Sequence, residues 1–170
     1  MDHNPLSRPI TPNNIEYRLL RATSQQMLDV KTWFSNTKQI ITWGGPNMVY
    51  PMPDKDYLAL LQASHLHSFA LLEHTGQMLA FGQFYVRLGR HHLGRLAVNP
   101  KWRGQGLSKV LISGLLTQAP QHQHAQGASL FVFADNHVAL QCYRSLGFIL
   151  RDYPEPMPAN MPDCLYMIRD

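Results

Sequence analysis

The order of elements in this 170-residue chain predicts an α/β protein built on a mixed sheet of six to seven strands flanked by about four helices. Three observations carry that prediction. Short apolar runs rich in β-branched and aromatic residues alternate with segments whose apolar residues recur every three or four positions. Two of the runs, His67–His74 and Met78–Arg87, meet at Thr75-Gly76, which reads as a hairpin. A later run, His91–Val98, instead leads through Asn99-Pro100 and a glycine loop into a helix.

The elements follow in order. Residues 1–14 are polar and Pro-rich and are expected to form a flexible tail before a single domain over 15–170. Ile15–Arg21 alternates as an opening strand, and Thr23-Ser24-Gln25-Gln26 is a capping box for a helix toward Phe34. Ile40–Pro46 reads as a loop, because Gly44-Gly45-Pro46 disfavours regular structure. Pro53–Asp56 opens a helix to about Ala63, with Tyr57, Leu60 and Leu61 on one side. Beyond the hairpin and the His91 strand, Leu107, Val110, Leu111, Gly114 and Leu115 keep helical spacing. Gln121–Gly127 reads as a polar connection and Ser129–Ala134 as an apolar strand. A helix from Asp135 to Gly147 follows, then strands at Phe148–Leu150 and Leu165–Ile168 around a loop of prolines and methionines.

Two segments carry chemistry. In Leu96–Lys109 a strand stops at Asn99-Pro100, since Pro has no N–H to donate. The loop Arg103-Gly104-Gln105-Gly106 then delivers the chain into a helix. Glycines there allow backbone angles that a Cβ forbids, leaving free N–H groups at a helix N-terminus, a seat for a polyphosphate. The nucleotide-triphosphate loop G-x-x-x-x-G-K-[ST] is absent, and Gly104–Lys109 fails the dinucleotide fingerprint at its last site. In the second segment, capped by Asp135 or Asn136, residues Asn136, Ala139 and Tyr143 share one helical stripe. An amide, a small residue and a phenol in line make one wall of a groove.

These two motifs, R-G-x-G-x-[GAS] after V-x-P and N-x-x-A-x-x-x-Y-x-x-x-G-F downstream, resemble the signature of the GNAT superfamily of acetyl-CoA-dependent N-acyltransferases, along nearly the whole chain from Ile15. The resemblance implies a sheet splayed between two central strands, with pantetheine in the gap. Leu96, Ala97 and Val98 would line the pantetheine, and Arg103, Gly104, Gln105, Gly106, Leu107 and Ser108 would hold the pyrophosphate. Ser108 stands where Gly or Ala is commoner. Asn136 and Tyr143 would face the thiol end. The implied reaction is direct acetyl transfer from acetyl-CoA to a primary amine without an acyl-enzyme. Cys142 lies off the Tyr143 stripe and is a poor nucleophile candidate.

Transfer needs a donor to the departing thiolate, and family tyrosines at the position of Tyr143 serve it. A backbone N–H near Ala97 or Val98 could polarise the carbonyl. The base is less defined. Where the branch acetylating ribosomal protein N-termini has Glu, this chain has Phe131; where the histone-acetylating branch has Glu, it has His92. Regular alternation puts His92 on one face with Gly94, Leu96 and Val98, and an imidazole of pKa near 6.5 could take the amine's proton. A solvent-facing histidine beside His91 is the competing reading, and Glu73 is a weaker candidate base.

Lysine and arginine number 15 against 11 acids, for a net charge of +4, which suits an anionic ligand. No basic run or basic-aromatic stripe calls for nucleic acid. No 18-residue apolar span or signal pattern is present, which predicts a cytoplasmic protein with no membrane partner. Two cysteines make no disulfide framework, and the histidine pairs 65/67, 91/92 and 122/124 lack structural-zinc spacing, so no metal is expected. Trp43–Pro46, Tyr50–Pro53 and the Met157/Met161 loop are candidate walls for the acceptor, a small-molecule or protein amine. A homodimer is compatible with the family, and a non-catalytic acyl-CoA-binding module is the alternative function.

Overall fold

The computed structural model describes residues 16–157 and 161–170. The expected N-terminal tail, and the Ile15 start of the first strand, lie outside them. Strand β1 (Tyr17–Arg21) leads into helices α1 (Ser24–Lys31), α2 (Thr37–Gly44) and α3 (Asp54–Leu61). Strands β2 (His67–Glu73), β3 (Met78–Arg87) and β4 (Arg90–Val98) follow, then α4 (Leu107–His122), β5 (Ala128–Phe133), α5 (His137–Ser145), β6 (Ile149–Arg151) and β7 (Cys164–Arg169). The seven strands form one sheet in the order β1-β2-β3-β4-β5-β7-β6. All neighbours are antiparallel except β4 and β5, which makes the sheet mixed as expected.

Local chemistry explains most boundaries. Thr23 and Gln26 exchange the reciprocal bonds of a capping box at α1. The Thr75-Gly76 turn closes β2 to β3, with Gly76 at φ +91°. Two expectations need correction. Ile40–Gly44 is helical: the Asn36 side chain accepts from the Gln39 N–H to start α2, and only Gly45, at φ +100°, ends it. The glycine pair is thus a terminator and the loop is shorter than expected, raising the helix count among the described residues to five. Helix α4 also runs past Pro120 to His122, closed by a bond from Gln123 N–H to Ala119 O.

Burial divides into two layers. One core joins Leu19, Phe69, Phe84 and Leu93 to Leu111 and Leu115 of α4. The other packs Val30, Ile40, Met48, Tyr57 and Leu61 of the first three helices and their connections against Phe81 and Ala70. At Gly82 the side chains of α4 press on the sheet: a Cβ there would meet Leu115 Cδ1 at 2.8 Å and Leu96 Cδ2 at 2.9 Å. No helix among the described residues is long and apolar enough to cross a membrane.

Two irregularities set up the site. The parallel ladder between β4 and β5 holds only at His91↔Ala128, His92↔Ser129 and Leu93↔Leu130, while β4 stays paired to β3 through Val98. Beyond Leu93 the two central strands therefore diverge. A bulge also interrupts the β3–β4 register, with Arg95 in the left-handed region at φ +46°. It reverses side-chain parity along β4. His92 keeps company with Tyr85 and Phe131 on the α1–α3 face, whereas Leu96 and Val98 pack on the α4 side. The expectation that His92, Leu96 and Val98 share a face is thereby overturned.

Candidate active site

The divergence of β4 from β5 opens a cleft of about 1400 Å³ that runs through the sheet. Its walls include Leu96, Ala97 and Val98 of β4, the glycine loop, Asn136, Ala139 and Tyr143 of the α5 segment, and His92. The two sequence motifs thus meet across one cavity. On the opposite face the same cleft reaches Trp43, Tyr85 and Arg87.

The loop is built as the sequence suggests. Pro100–Trp102 forms one 3-10 turn, with the Asn99 side chain accepting from Lys101 N–H. Gly104 and Gly106 follow at φ +78° and +74°. A Cβ on either would meet nothing within 4 Å, so their backbone angles, and not crowding, require glycine. Gly106 is the N-cap of α4 and brings no side-chain acceptor, and the first turn holds no acid. The opening N–H groups of a 16-residue helix are left for an anion, beside Arg103 and Lys109. Arg103, Gly104, Gly106, Leu107 and Ser108 line the cleft, whereas Gln105 does not. Leu107 is 3 % exposed and anchors the core, so only its backbone can serve a ligand.

Asn136 is the N-cap of α5, its side-chain oxygen accepting from Ala139 N–H at 3.2 Å. Its amide NH₂ has no hydrogen-bond partner among the described residues. Tyr143 lies two turns along, half-buried and edge-on to Phe148. Burial first, and then the neighbouring Cys142, push its phenol up to about 12. The hydroxyl therefore holds its proton throughout the neutral range. Burial also raises the Cys142 thiol, which makes it a poor nucleophile.

His92 is neither solvent-facing nor near pKa 6.5. It is 3 % exposed, with Nδ1 on Ser129 Oγ at 2.8 Å and its ring 4.7 Å from that of Phe131. Burial and then the Arg87 charge push the imidazole down to about 3. It is neutral at any physiological pH. Two other histidines have structural partners: His91 Nε2 bonds Gln123 O at 2.6 Å, and His67 stacks on Phe84 near His122.

Several wall residues were not singled out from sequence. Arg95 donates through Nε to Gly44 O at 3.0 Å, and through Nη1 to Leu60 O at 3.3 Å and Gln83 Oε1 at 3.0 Å. One guanidinium thus ties the C-terminal ends of α2 and α3 to the bulge, where carbonyl dipoles favour a cation. Arg87 sits between Tyr85 and Tyr153. The period-two polar series Gln83-Tyr85-Arg87 was the available signal. Trp43 and Met161, which the sequence did single out, both line the cleft, and Trp43 stacks on Phe34 at 4.6 Å.

The mixed sheet is split between its parallel central strands, with a helix N-terminus at one end of the split and a phenol across it. A sequence profile of the acetyltransferase (GNAT) family matches residues 30–148, and the chain belongs to that family. It is 30 % identical over 88 residues to an uncharacterized N-acetyltransferase, YfmK, of Bacillus subtilis (strain 168), a match spanning 51 % of this chain and 57 % of that protein. The chain therefore matches only a little over half the length of this curated relative. Its fold is similar to that of the spermidine N-acetyltransferase of Vibrio cholerae in complex with CoA and spermine (TM-score 0.71, 13 % identity, covering 89 % and 94 % of the two chains). It is also similar to that of the ribosomal-protein-S18-alanine N-acetyltransferase of Escherichia coli (TM-score 0.62, 22 % identity, 90 % and 92 %).

Proposed function

We propose that this protein is an N-acetyltransferase that moves the acetyl group of acetyl-CoA directly to a primary amine. The observation that carries the reading is the uncapped, acid-free start of α4 sharing one cleft with the Tyr143 hydroxyl and the unpaired stretch of β4. Residues Arg103 to Ser108, Gln105 excepted, would hold the pyrophosphate, and the free edge of Leu96–Val98 would receive the pantetheine amides. Bound there, acetyl-CoA supplies a thioester carbonyl as electrophile. The amine nitrogen forms a bond to that carbonyl carbon, the thioester C–S bond breaks, and nitrogen loses a proton as sulfur gains one.

Tyr143 donates the hydrogen bond that the departing sulfur needs. With its phenol near 12 and a thiol near 8.5, full proton transfer is uphill, so the hydroxyl stabilises the thiolate while solvent completes protonation. An N–H of Ala97 or Val98 polarises the carbonyl. His92 contributes as a neutral hydrogen-bonding group that orients the amine, because an imidazole titrating near 3 cannot retain the proton it accepts. The proton leaves through the open cleft to water.

The same feature favours one rival, a non-catalytic acyl-CoA-binding module: no Asp or Glu among the described residues lines the cleft as a base. Thiol release across an amine panel, after a thermal shift with acetyl-CoA, decides between them. Binding and turnover support the enzyme; binding without turnover of any amine supports the module. The reading places the enzyme in the cytoplasm, acting on a small-molecule or protein amine, alone or as a homodimer.

A further inference from the structure

The acceptor side of the cleft carries positive charge and no carboxylate. Lys38, Arg87 and Arg95 line it, and none of the acids among the described residues does. Arg95 is consumed by three oxygen partners. Arg87 is different. Its Nε donates to Tyr153 Oη at 2.8 Å and its Nη1 to Tyr85 Oη at 3.1 Å, leaving Nη2 without a partner among the described residues. Its guanidinium lies 5.2 Å from the centre of the Phe131 ring and 5.5 Å from that of Tyr153. The ion pairs found among the described residues, Lys31–Asp54 and Arg90–Asp170, do not include it.

Two hydroxyls and two aromatic faces hold this fork half-buried and fixed, but none of them neutralises it. A guanidinium pre-organised in this way is suited to a planar anion. Its side chain, not its register, brings it to the chemistry: Arg87 pairs with Arg90, but its guanidinium reaches back to Phe131, the first β5 residue beyond the last β4–β5 pair, Leu93↔Leu130. An anion seated on Arg87 therefore hangs the rest of its molecule at the opening.

Resting on the acetyltransferase reading, we infer that the acceptor is a small primary amine bearing a carboxylate, an amino-acid-like molecule whose anion binds Arg87 and whose apolar body lies against Phe131 and Tyr85. A polycationic amine meets unopposed positive charge and no acidic partner in this cleft, so polyamines are disfavoured.

The test uses matched acceptors that differ only in the anion: L-phenylalanine, its primary amide and 2-phenylethylamine, the corresponding methionine series, and spermidine. Thiol release and calorimetric binding to the CoA-loaded protein are both read. The amino acid of at least one series is expected to exceed its amide and its amine by about 10- to 100-fold in kcat/KM and in affinity, with spermidine weakest. Arg87→Gln should erase that preference by raising the amino acid's KM, while the thermal shift with acetyl-CoA persists; Arg87→Lys should restore some of it. Spermidine or the uncharged partners performing as well as both amino acids, binding of no amino acid at all, or a preference unchanged in Arg87→Gln overturns the inference. Preferential binding of the amino acid without thiol release retains the subsite and overturns the transferase reading instead.

Discussion

Tyr143 and His92 share one cleft yet are tuned by burial in opposite senses of usefulness. Burial keeps the phenol protonated, which suits a donor, and keeps the imidazole uncharged, which disqualifies it as a store for a proton. Tyr143→Phe is expected to lower kcat roughly 100-fold with little change in KM for acetyl-CoA, since the bond proposed for its hydroxyl is made chiefly to the departing sulfur. Steady-state kinetics with a working acceptor checks this. His92 has a stability consequence instead. Its folded-state pKa is depressed, so below about 6.5 the unfolded chain binds a proton that the folded chain refuses until about 3. Stability should therefore fall with pH across that window. His92→Gln, which can still bond Ser129, should lose less of its urea midpoint between pH 7 and pH 4.5 than the natural protein does. Tyr143 was legible from its helical spacing, whereas the state of His92 was not. Both faces of this sheet are covered, so the neighbours of His92, and not its burial, depend on the face it turns; its face relative to Leu96 and Val98 was decided at the bulge by Arg95, whose left-handed angle no pattern of hydrophobicity announces.

At the scale of elements, the glycine loop and α4 behave as a unit. Both glycines sit at positive φ with open space around them, so the expected effect of a methyl group is on backbone angle, and through it on the aim of the N–H groups. Gly104→Ala should raise KM for acetyl-CoA about 10-fold and leave the urea midpoint little changed, because the strain of about 1–2 kcal/mol falls on an exposed loop that can relax when empty. A thermal-shift titration with acetyl-CoA reads the first quantity and urea unfolding the second. This unit was readable because proline, glycine and helix spacing all act within a few residues. The same local logic misjudged α2, where Gly44-Gly45-Pro46 made all of Ile40–Pro46 read as a loop. Asn36 starts that helix and Gly45 only ends it, so the glycine pair belonged to the helix's last residue and its terminator.

Across the whole molecule, the first three helices are fastened to the splayed strand by Arg95. Replacing it by methionine keeps the bulk of the side chain but leaves the carbonyls of Gly44 and Leu60 without that donor. Arg95→Met should destabilise the protein by about 2–4 kcal/mol and weaken amine binding more than CoA binding, a comparison that urea unfolding and calorimetry make directly. The mixed sheet of six to seven strands followed from the sequence of elements, but its strand order, with β7 inside β6, did not, and the tie between helices and bulge joins residues far apart in the chain. Such long-range hydrogen bonds leave no periodic trace for a reader of sequence.

The early divorce of β4 from β5 has a kinetic corollary. Because one passage crosses the sheet, the proposed coenzyme and amine would have separate doorways on opposite faces, and neither would have to vacate before the other arrives. Initial velocities plotted in double-reciprocal form should give lines that intersect, the mark of both reactants being aboard together. Parallel lines would mean that the acetyl group is parked on the protein between visits, which this passage makes unnecessary.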